Sequence, residues 1–376
     1  MRITESGTIS RHDANDRAVR SFPAVLRLTD GRLLATCRAG SSKDSDDGIV
    51  ELYTSTDTGR TWSDAQVLFS DLRVDGRRGS LHLCYLTELK PGRLLAATLW
   101  IDRDAQPGKP LFNPDTEGCL PMAIVLSDSS DGGRSWSSIR AVAMPEEIGP
   151  PSLTNPIIRL ADGSLVMSIE TNKNYEDSSK WYQRVVFFHS HDEGRTWGDM
   201  HVVGSDSSGR IFNWDQRLGL GMDGTLAAYV WTYDSEVRKY LSIRRRISTD
   251  NGRTWSTAEE LGFSDQAGPP AVLSDGQVVL PWVDRFGTHS IRARLGSSLD
   301  AAFDPSSELE VYAHRLPART AKEETTGDML QHQGFWSYGL PFAVPLSGDA
   351  ALVLYYAGDN SRMDIHYARI ALGETG

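Results

Sequence analysis

Ser55-Thr-Asp57-Thr-Gly59-Arg-Thr61-Trp62 decides how this chain is read, because the same pattern returns three more times. The other copies are Ser129-Ser-Asp131-Gly-Gly133-Arg-Ser135-Trp136, Ser190-His-Asp192-Glu-Gly194-Arg-Thr196-Trp197 and Ser248-Thr-Asp250-Asn-Gly252-Arg-Thr254-Trp255. Repeats about 60 residues apart have the scale of a propeller blade or a similar radial unit. In each copy the Asp can accept hydrogen bonds from the N–H groups of its own turn, and Gly supplies the positive φ. The Trp can cover the turn and pack between neighbouring sheets. One carboxylate per turn falls short of the roughly six to eight oxygens that calcium takes. The octet therefore builds blades and is not the site.

A second pattern surrounds each octet: an apolar run, a turn, and another apolar run. In the first unit it is Phe22-Pro-Ala-Val-Leu-Arg-Leu28, then Asp30-Gly31, then Arg32-Leu-Leu-Ala-Thr-Cys37. Asp-Gly between apolar runs is a hairpin signal, since both residues tolerate positive φ. It returns at Asp162-Gly163, Asp223-Gly224 and Asp275-Gly276, with Pro91-Gly92 and Gly348-Asp349 as weaker forms. The expectation is an all-β, six-bladed β-propeller of four-stranded antiparallel blades in one domain, 1–376. Its blades span roughly 22–75, 79–145, 150–205, 210–262, 266–315 and 335–370. The octet joins the third and fourth strands, with Ser297-Ser-Leu-Asp300-Ala-Ala-Phe303 as an eroded fifth copy. The first 15 or so residues complete the last blade, and Pro317 to Gln333 is an excursion before it.

Composition narrows the function. Apolar residues at 39% leave enough for a shared core, and the net charge of −11 argues against nucleic acid, which needs a basic footprint. Cys37, Cys84 and Cys119 are too few and too irregular for a disulfide framework or a zinc site. No run of 18 apolar residues exists, so no membrane partner is expected. Residues 1–10 carry no apolar signal core, which makes cytoplasmic residence the expectation. A secreted chain stripped of its signal would look the same. No cofactor and no metal are expected, and the chain is read as a monomer or weak oligomer.

In a propeller, chemistry gathers over the central channel, where first strands begin and second strands end. Those positions supply Arg20, Arg38, Asp44, Glu170, Asp215, Trp231, Arg285 and Tyr338, beside His82, Trp214, Arg217, Trp336 and Tyr356. Exposed Trp and Tyr can stack on sugar faces, and opposed carboxylates can do acid and base work on a glycosidic bond. A terminal sugar of a glycan is thus the expected partner.

These residues resemble the sialidase (neuraminidase) superfamily, whose repeat signature, the Asp-box, matches all four octets. Arg38 and Asp44, in Cys37-Arg38-Ala-Gly-Ser-Ser-Lys-Asp44, are spaced as in bacterial sialidases. There the matching Arg lines the pocket and the matching Asp is the general acid/base. Thr288-His-Ser-Ile-Arg292-Ala-Arg-Leu-Gly296 is similar to the segment that delivers the last of three carboxylate-binding arginines, which makes Arg292 that residue. Trp336-Ser-Tyr338-Gly-Leu340 is a shifted form of the family's Tyr-Ser-Asp-Leu, which makes Tyr338 the candidate nucleophile, and its activating Glu falls at Asp215.

The chain also departs from that pattern. Ser21 stands where the first arginine of an aromatic-Arg-Ile-Pro motif belongs, with Arg20 one position away. Trp231 stands at the second arginine, and the Glu that supports the first falls near Tyr356. The resemblance implies an exo-acting retaining glycosidase of sialidase type with Asp44, Asp215 and Tyr338 catalytic and Arg20, Arg38, Arg285, Arg292 and Trp231 around the sugar. Two other readings keep the fold. One is a glycosidase or lyase acting through Glu170 on a neutral or uronic sugar, similar to exo-arabinanases or propeller polysaccharide lyases. The other is a propeller that binds carbohydrate or protein without turnover.

Overall fold

The computed structural model describes residues 1–10, 17–315 and 326–373. Its strands fall into antiparallel meanders, each opened by a hairpin of the expected kind. The first unit holds Val19–Arg27, Leu33–Gly40, Ile49–Ser55 and Gln66–Val67. The second holds Arg77–Lys90, Arg93–Asp102, Met122–Ser129 and Arg140–Ala141. The third runs from Ser152–Leu153 and Ile158–Arg159 through Leu165–Glu170 and Arg184–Ser190 to Gly198–Ser205. The fourth is Ile211–Leu220, Leu226–Asp234, Arg244–Ser248 and Glu259–Glu260. The fifth begins with Gln266–Ala267 and Ala271–Val272, then Val278–Asp284, Ser290–Gly296 and Phe303–Ala313. The sixth comprises Tyr338–Pro345, Ala350–Asp359 and Arg362–Ala371, with Arg2–Thr8 paired along Arg362–Ala371 as its outer strand. A single parallel bridge, Val19 to Met363, joins the first and sixth units into one eight-stranded sheet.

At the hairpins only Gly takes positive φ: 90° at Gly31, 87° at Gly163, 86° at Gly224 and 89° at Gly276. The Asp does something other than share that conformation. Its carboxylate accepts the N–H two residues on, at 3.0 Å for Asp30 to Arg32 and 2.9 Å for Asp162 to Ser164. That is an Asx-type turn.

The octets are turns of one design. Asp57 Oδ1 accepts the N–H groups of Arg60 (3.1 Å) and Thr61 (2.9 Å) and the Ser55 hydroxyl (2.8 Å). Its Oδ2 accepts the Thr61 hydroxyl at 2.7 Å. Slight burial pushes this carboxyl up, yet the Thr61, Ser55 and Arg60 donors outweigh it and bring it down to about 2. Both oxygens are aimed at N–H and O–H donors, which is a poor setting for a cation. The bonds from the N–H and hydroxyl of the octet's seventh residue recur at Asp131, Asp192 and Asp250. Ser298 and Asp300 keep only the Ser-to-Asp bond of the eroded copy.

What the octet glycines touch organises the molecule. A β-carbon placed on Gly133 would lie 3.1 Å from Leu34 of the first unit, and one on Gly194 3.1 Å from Leu95 of the second. One on Gly252 would lie 2.7 Å from Phe187 of the third. One on Gly59 would lie 3.1 Å from Leu352 of the sixth, which seats the first unit on the sixth. Each turn is thus seated on the unit before it. The inner strands follow the same order, with Val19–Arg27 packed against both Arg77–Lys90 and Tyr338–Pro345. The expected excursion at Pro317–Gln333 lies partly outside the described residues; its described end is the helix Thr326–His332 and a short 3₁₀ turn, Gln333–Phe335. Cys37, Cys84 and Cys119 are buried thiols.

Two glycine substitutions separate this seating from simple turn strain. Gly31 and Gly252 both have positive φ, but nothing lies within 4 Å of a β-carbon on Gly31. Gly31→Ala should cost about 1–2 kcal/mol from the left-handed backbone alone. Gly252→Ala should cost that and about 1–3 kcal/mol more through overlap with Phe187. Urea unfolding measures both, and equal losses would contradict the seating.

Candidate active site

Each inner strand is irregular at the same height, and each irregularity delivers a residue to one cavity. Pairing slips between Ser21 and Ala24, between Leu81 and Leu83, between Trp214 and Arg217, and between Gly339 and Phe342. In the third and fifth units the strand is interrupted outright, after Leu153 and after Ala267. Bulges bend a strand and re-aim a side chain. Phe22, Asp215 and Leu340 hold left-handed φ values of 54°, 48° and 44° within them, a strained state for such residues. Phe22, His82, Thr154, Asp215, Gln266 and Leu340 all line the cavity, one from each unit. Its empty volume, including the open mouth, is about 970 Å³.

The titratable heart of the cavity lies between the third and fourth units. Glu170 ends the strand Leu165–Glu170 and is only 6% exposed. Its Oε1 accepts the backbone N–H of Gln216 at 3.2 Å. Burial, reinforced by the charge of Asp215, pushes the Glu170 carboxyl up to about 8. Asp215 accepts from Arg217 Nη2 at 3.3 Å and from the Gln266 side-chain amide. Arg217 is itself buried and also donates to the Tyr85 hydroxyl at 2.9 Å and to the Thr154 carbonyl. Two neighbouring carboxyls in unlike settings are the arrangement that divides acid from base.

Lys43 and Asp44 face the cavity from the loop that follows Leu33–Gly40. Asp44 Oδ1 lies 3.6 Å from His82 Nδ1. Burial holds that imidazole down to about 3 despite the Asp44 charge, so at neutral pH it is uncharged. The loop is propped from behind. Arg38, fully buried, donates to the Ser42 carbonyl at 2.6 Å and the Ser45 carbonyl at 2.7 Å. Arg103 donates to the Asp44 carbonyl at 3.0 Å. Burial pulls the Arg38 guanidinium down to about 10, against the attraction of Asp44.

The structure brings together Asp44, Glu170, Asp215 and Arg285 of the expected site residues, and it places the other five elsewhere. Arg285 lines the cavity with its guanidinium 4.2 Å from the Trp336 ring centre and an ion pair to Asp265 at 3.0 Å. Arg20 is buried against Glu51 at 2.7 Å; burial would lower it, but the bond to Glu51 holds it above the usual guanidinium range. Arg38 acts on the Asp44 loop and does not line the cavity. Arg292 lies in the third strand of the fifth unit, paired with Glu308 at 2.6 Å and Glu310 at 3.5 Å. Trp231 is buried in a stack with Tyr240, the ring centres 4.6 Å apart. Tyr338 is buried against His314, with ring centres 4.3 Å apart, and its hydroxyl has no partner among the described residues. Burial raises that phenol well above its usual range, against Arg285.

Lys43, Tyr85, Asn172, Gln266 and Leu330 line the cavity without having been singled out from sequence. Two signals were available. Pro23, Pro156, Pro269 and Pro341 interrupt or follow the inner strands of four units, and proline inside a strand marks a bulge. Lys43 adjoins Asp44.

No protein-family model matches the chain. A sialidase of Paraclostridium sordellii is 23% identical over 252 residues, 64% of this chain and 58% of the relative. The match thus spans less than two thirds of that protein. A crystal structure of a Dyadobacter fermentans protein of unknown function superposes with a TM-score of 0.74 at 20% identity, covering 99% of both chains. The intramolecular trans-sialidase of Ruminococcus gnavus, solved with oseltamivir carboxylate, gives 0.68 at 15% identity over 98% of this chain and 97% of the other.

Removing the partner of Arg20 tests its structural role. Glu51→Gln should cost about 3–5 kcal/mol in urea unfolding, because it strands a buried guanidinium. An unchanged unfolding midpoint would contradict that role.

Proposed function

We propose that this sialidase-type β-propeller is a glycoside hydrolase acting on a terminal sugar, with Glu170 as the acid and Asp215 as its partner carboxylate. The observation that carries the reading is the Glu170–Asp215 pair, set in a cavity walled by Trp214, Trp336 and Trp181. Glu170 is protonated at neutral pH and so can give its proton to the glycosidic oxygen as the carbon–oxygen bond breaks. The alcohol leaves carrying that proton. Asp215, held by Arg217 and Gln266, takes a proton from the water that attacks the anomeric carbon. The aromatic walls suit a sugar ring, whose C–H groups pack on aromatic surface. Asp44 and neutral His82 present further polar groups to the same cavity. The relatives named sialidase and trans-sialidase support glycan chemistry on this fold.

A tyrosine-nucleophile route has less support, because Tyr338 is shut away beside His314. The guanidinium set expected for a sialic-acid carboxylate is also dispersed: Ser21 is a buried hydroxyl, Trp231 is stacked, and Arg292 is neutralised by two glutamates. Bidentate guanidinium contacts are strong and shape-specific, and an indole cannot replace one.

A panel of aryl glycosides that includes α-L-arabinofuranoside, hexosides, hexuronides and a sialoside tests the proposal. Release of the phenol should fall about 10²–10⁴-fold in Glu170→Gln, the range for loss of a general acid, and be kept in Tyr338→Phe. Release from the sialoside alone, lost in Tyr338→Phe and Asp44→Asn, would overturn it.

The pH dependence has a definite sign. The acid must be protonated, so kcat/KM should decline tenfold per unit above about pH 8. Stability runs the same way. A carboxyl with a raised folded pKa binds its proton more tightly folded than unfolded, so it costs stability as pH climbs from about 4.3. That loss levels off near pH 8. Glu170→Gln should flatten this part of the stability curve and leave the protein more stable at pH 8 than its parent.

A further inference from the structure

The least compensated charge in the cavity is Lys43. Its Nζ donates to the Gln333 carbonyl at 2.7 Å and the Tyr356 hydroxyl at 3.0 Å, with the Trp336 carbonyl at 3.5 Å. All three acceptors are neutral. The rings of Tyr356, Phe22 and Trp336 surround it, their centres 5.1, 5.5 and 5.8 Å away. The side chain is 6% exposed, and it forms no ion pair with a carboxylate among the described residues. The other cavity cations differ in this respect: Arg217 meets Asp215 and Arg285 meets Asp265. A buried ammonium is costly unless an anion joins it, and dipoles and π-faces recover only part of that cost. The proton aimed at the 3.5 Å contact is the one best placed to turn to a ligand.

Position matters as much as charge. Lys43 belongs to the first unit and is tied to residues that open and continue the sixth, whereas Glu170 and Asp215 belong to the third and fourth. In a closed order of units these lie on opposite sides of the cavity. A sugar whose anomeric carbon meets Glu170 and Asp215 would therefore bring the far side of its ring to Lys43. In a hexuronate the carboxylate stands off C5, separated from the anomeric carbon by the ring oxygen and directed away from it. In a sialic acid it is attached to the anomeric carbon itself, next to the wrong wall.

We infer that the cavity selects a terminal hexuronic acid and that Lys43 reads its carboxylate. This rests on the hydrolase reading above for the placement of the anomeric carbon. An ammonium is a point charge without the fork of a guanidinium, so it serves one carboxylate oxygen and leaves the ring to be oriented by the flanking indoles. The step needs no further reactant: the carboxylate is bound, not transformed.

Binding and turnover are measured separately on the full chain. Calorimetric titration of Glu170→Gln with methyl glucuronide, methyl galacturonide, the matching neutral methyl hexosides and N-acetylneuraminate gives binding without hydrolysis. At least one uronide should bind ten times more tightly than its neutral counterpart. Lys43→Met should abolish that preference, weakening the uronide at least tenfold more than the neutral sugar, and Lys43→Arg should restore part of it. In the active protein, Lys43→Met should raise KM for the aryl hexuronide at least tenfold with kcat little altered. A neutral sugar bound as tightly as the uronide, or Lys43-dependent binding of N-acetylneuraminate in its place, would overturn the inference. If Lys43→Met does not fold, the uronide-to-hexoside ratio in the Glu170→Gln protein still decides. Uronide binding that depends on Lys43, with no turnover of any glycoside, would sustain the inference while sinking the hydrolase reading. Turnover of neutral sugars that depends on Glu170, with no uronide preference, would do the reverse.

Discussion

The architecture depends on a small steric fact: the octet turn brings a bare glycine α-carbon against an apolar side chain of the preceding unit. Gly133, Gly194 and Gly252 sit on Leu34, Leu95 and Phe187, and Gly59 sits on Leu352 near the other end of the chain. A β-carbon at any of them would enter its neighbour's packing. The Asp of each octet holds the turn in the one shape that allows this approach, through bonds to its own backbone and hydroxyl groups. Four such seatings set the order of the sixth, first, second, third and fourth units. Interior packing this close transmits geometry well, because displacements have little free volume in which to dissipate.

That rigidity makes the irregular inner strands useful. A bulge in an isolated hairpin would merely loosen it. Here each bulge or break is held between packed neighbours, and left-handed Phe22, Asp215 and Leu340 are kept in conformations they would not choose alone. The result is one cavity fed by every unit. Its electrostatics divide it into two walls. On one, burial and mutual repulsion separate the roles of Glu170 and Asp215. On the other, a lysine sits among neutral acceptors and aromatic rings, beside an aspartate and an uncharged histidine. The proposed substrate, acidic at one end and with a scissile bond at the other, would complement both.

Much of this could be read from the residues, and the boundary between what could and could not is physical. The octets and the Asp-Gly hairpins are local devices, so their spacing gives strand order and turn position directly. Asp44, Glu170, Asp215 and Arg285 could be listed because they stand where strands open or end. Which way a side chain points is another matter. Alternation along a strand should have settled it for Arg20 and Tyr338, but a register slip of one residue at each bulge reverses inside and outside. Arg20 falls beyond such a slip and turns to Glu51; Tyr338 turns to His314. Arg292 failed for a different reason, since its role was carried over from a motif whose other arginines are missing here. Lys43 escaped attention because its significance is relational: it depends on Gln333, Trp336 and Tyr356, which lie some 290 to 313 positions away.

Glu170 holds its proton at neutral pH because it is buried beside a second carboxylate. Carbon-13 NMR titration of side-chain-labelled glutamate, with Glu170 assigned by its absence from Glu170→Gln, measures this directly. A midpoint near pH 8 that falls in Asp215→Asn is the expected result. A midpoint near the ordinary glutamate value of about 4.3, indifferent to Asp215, would contradict it.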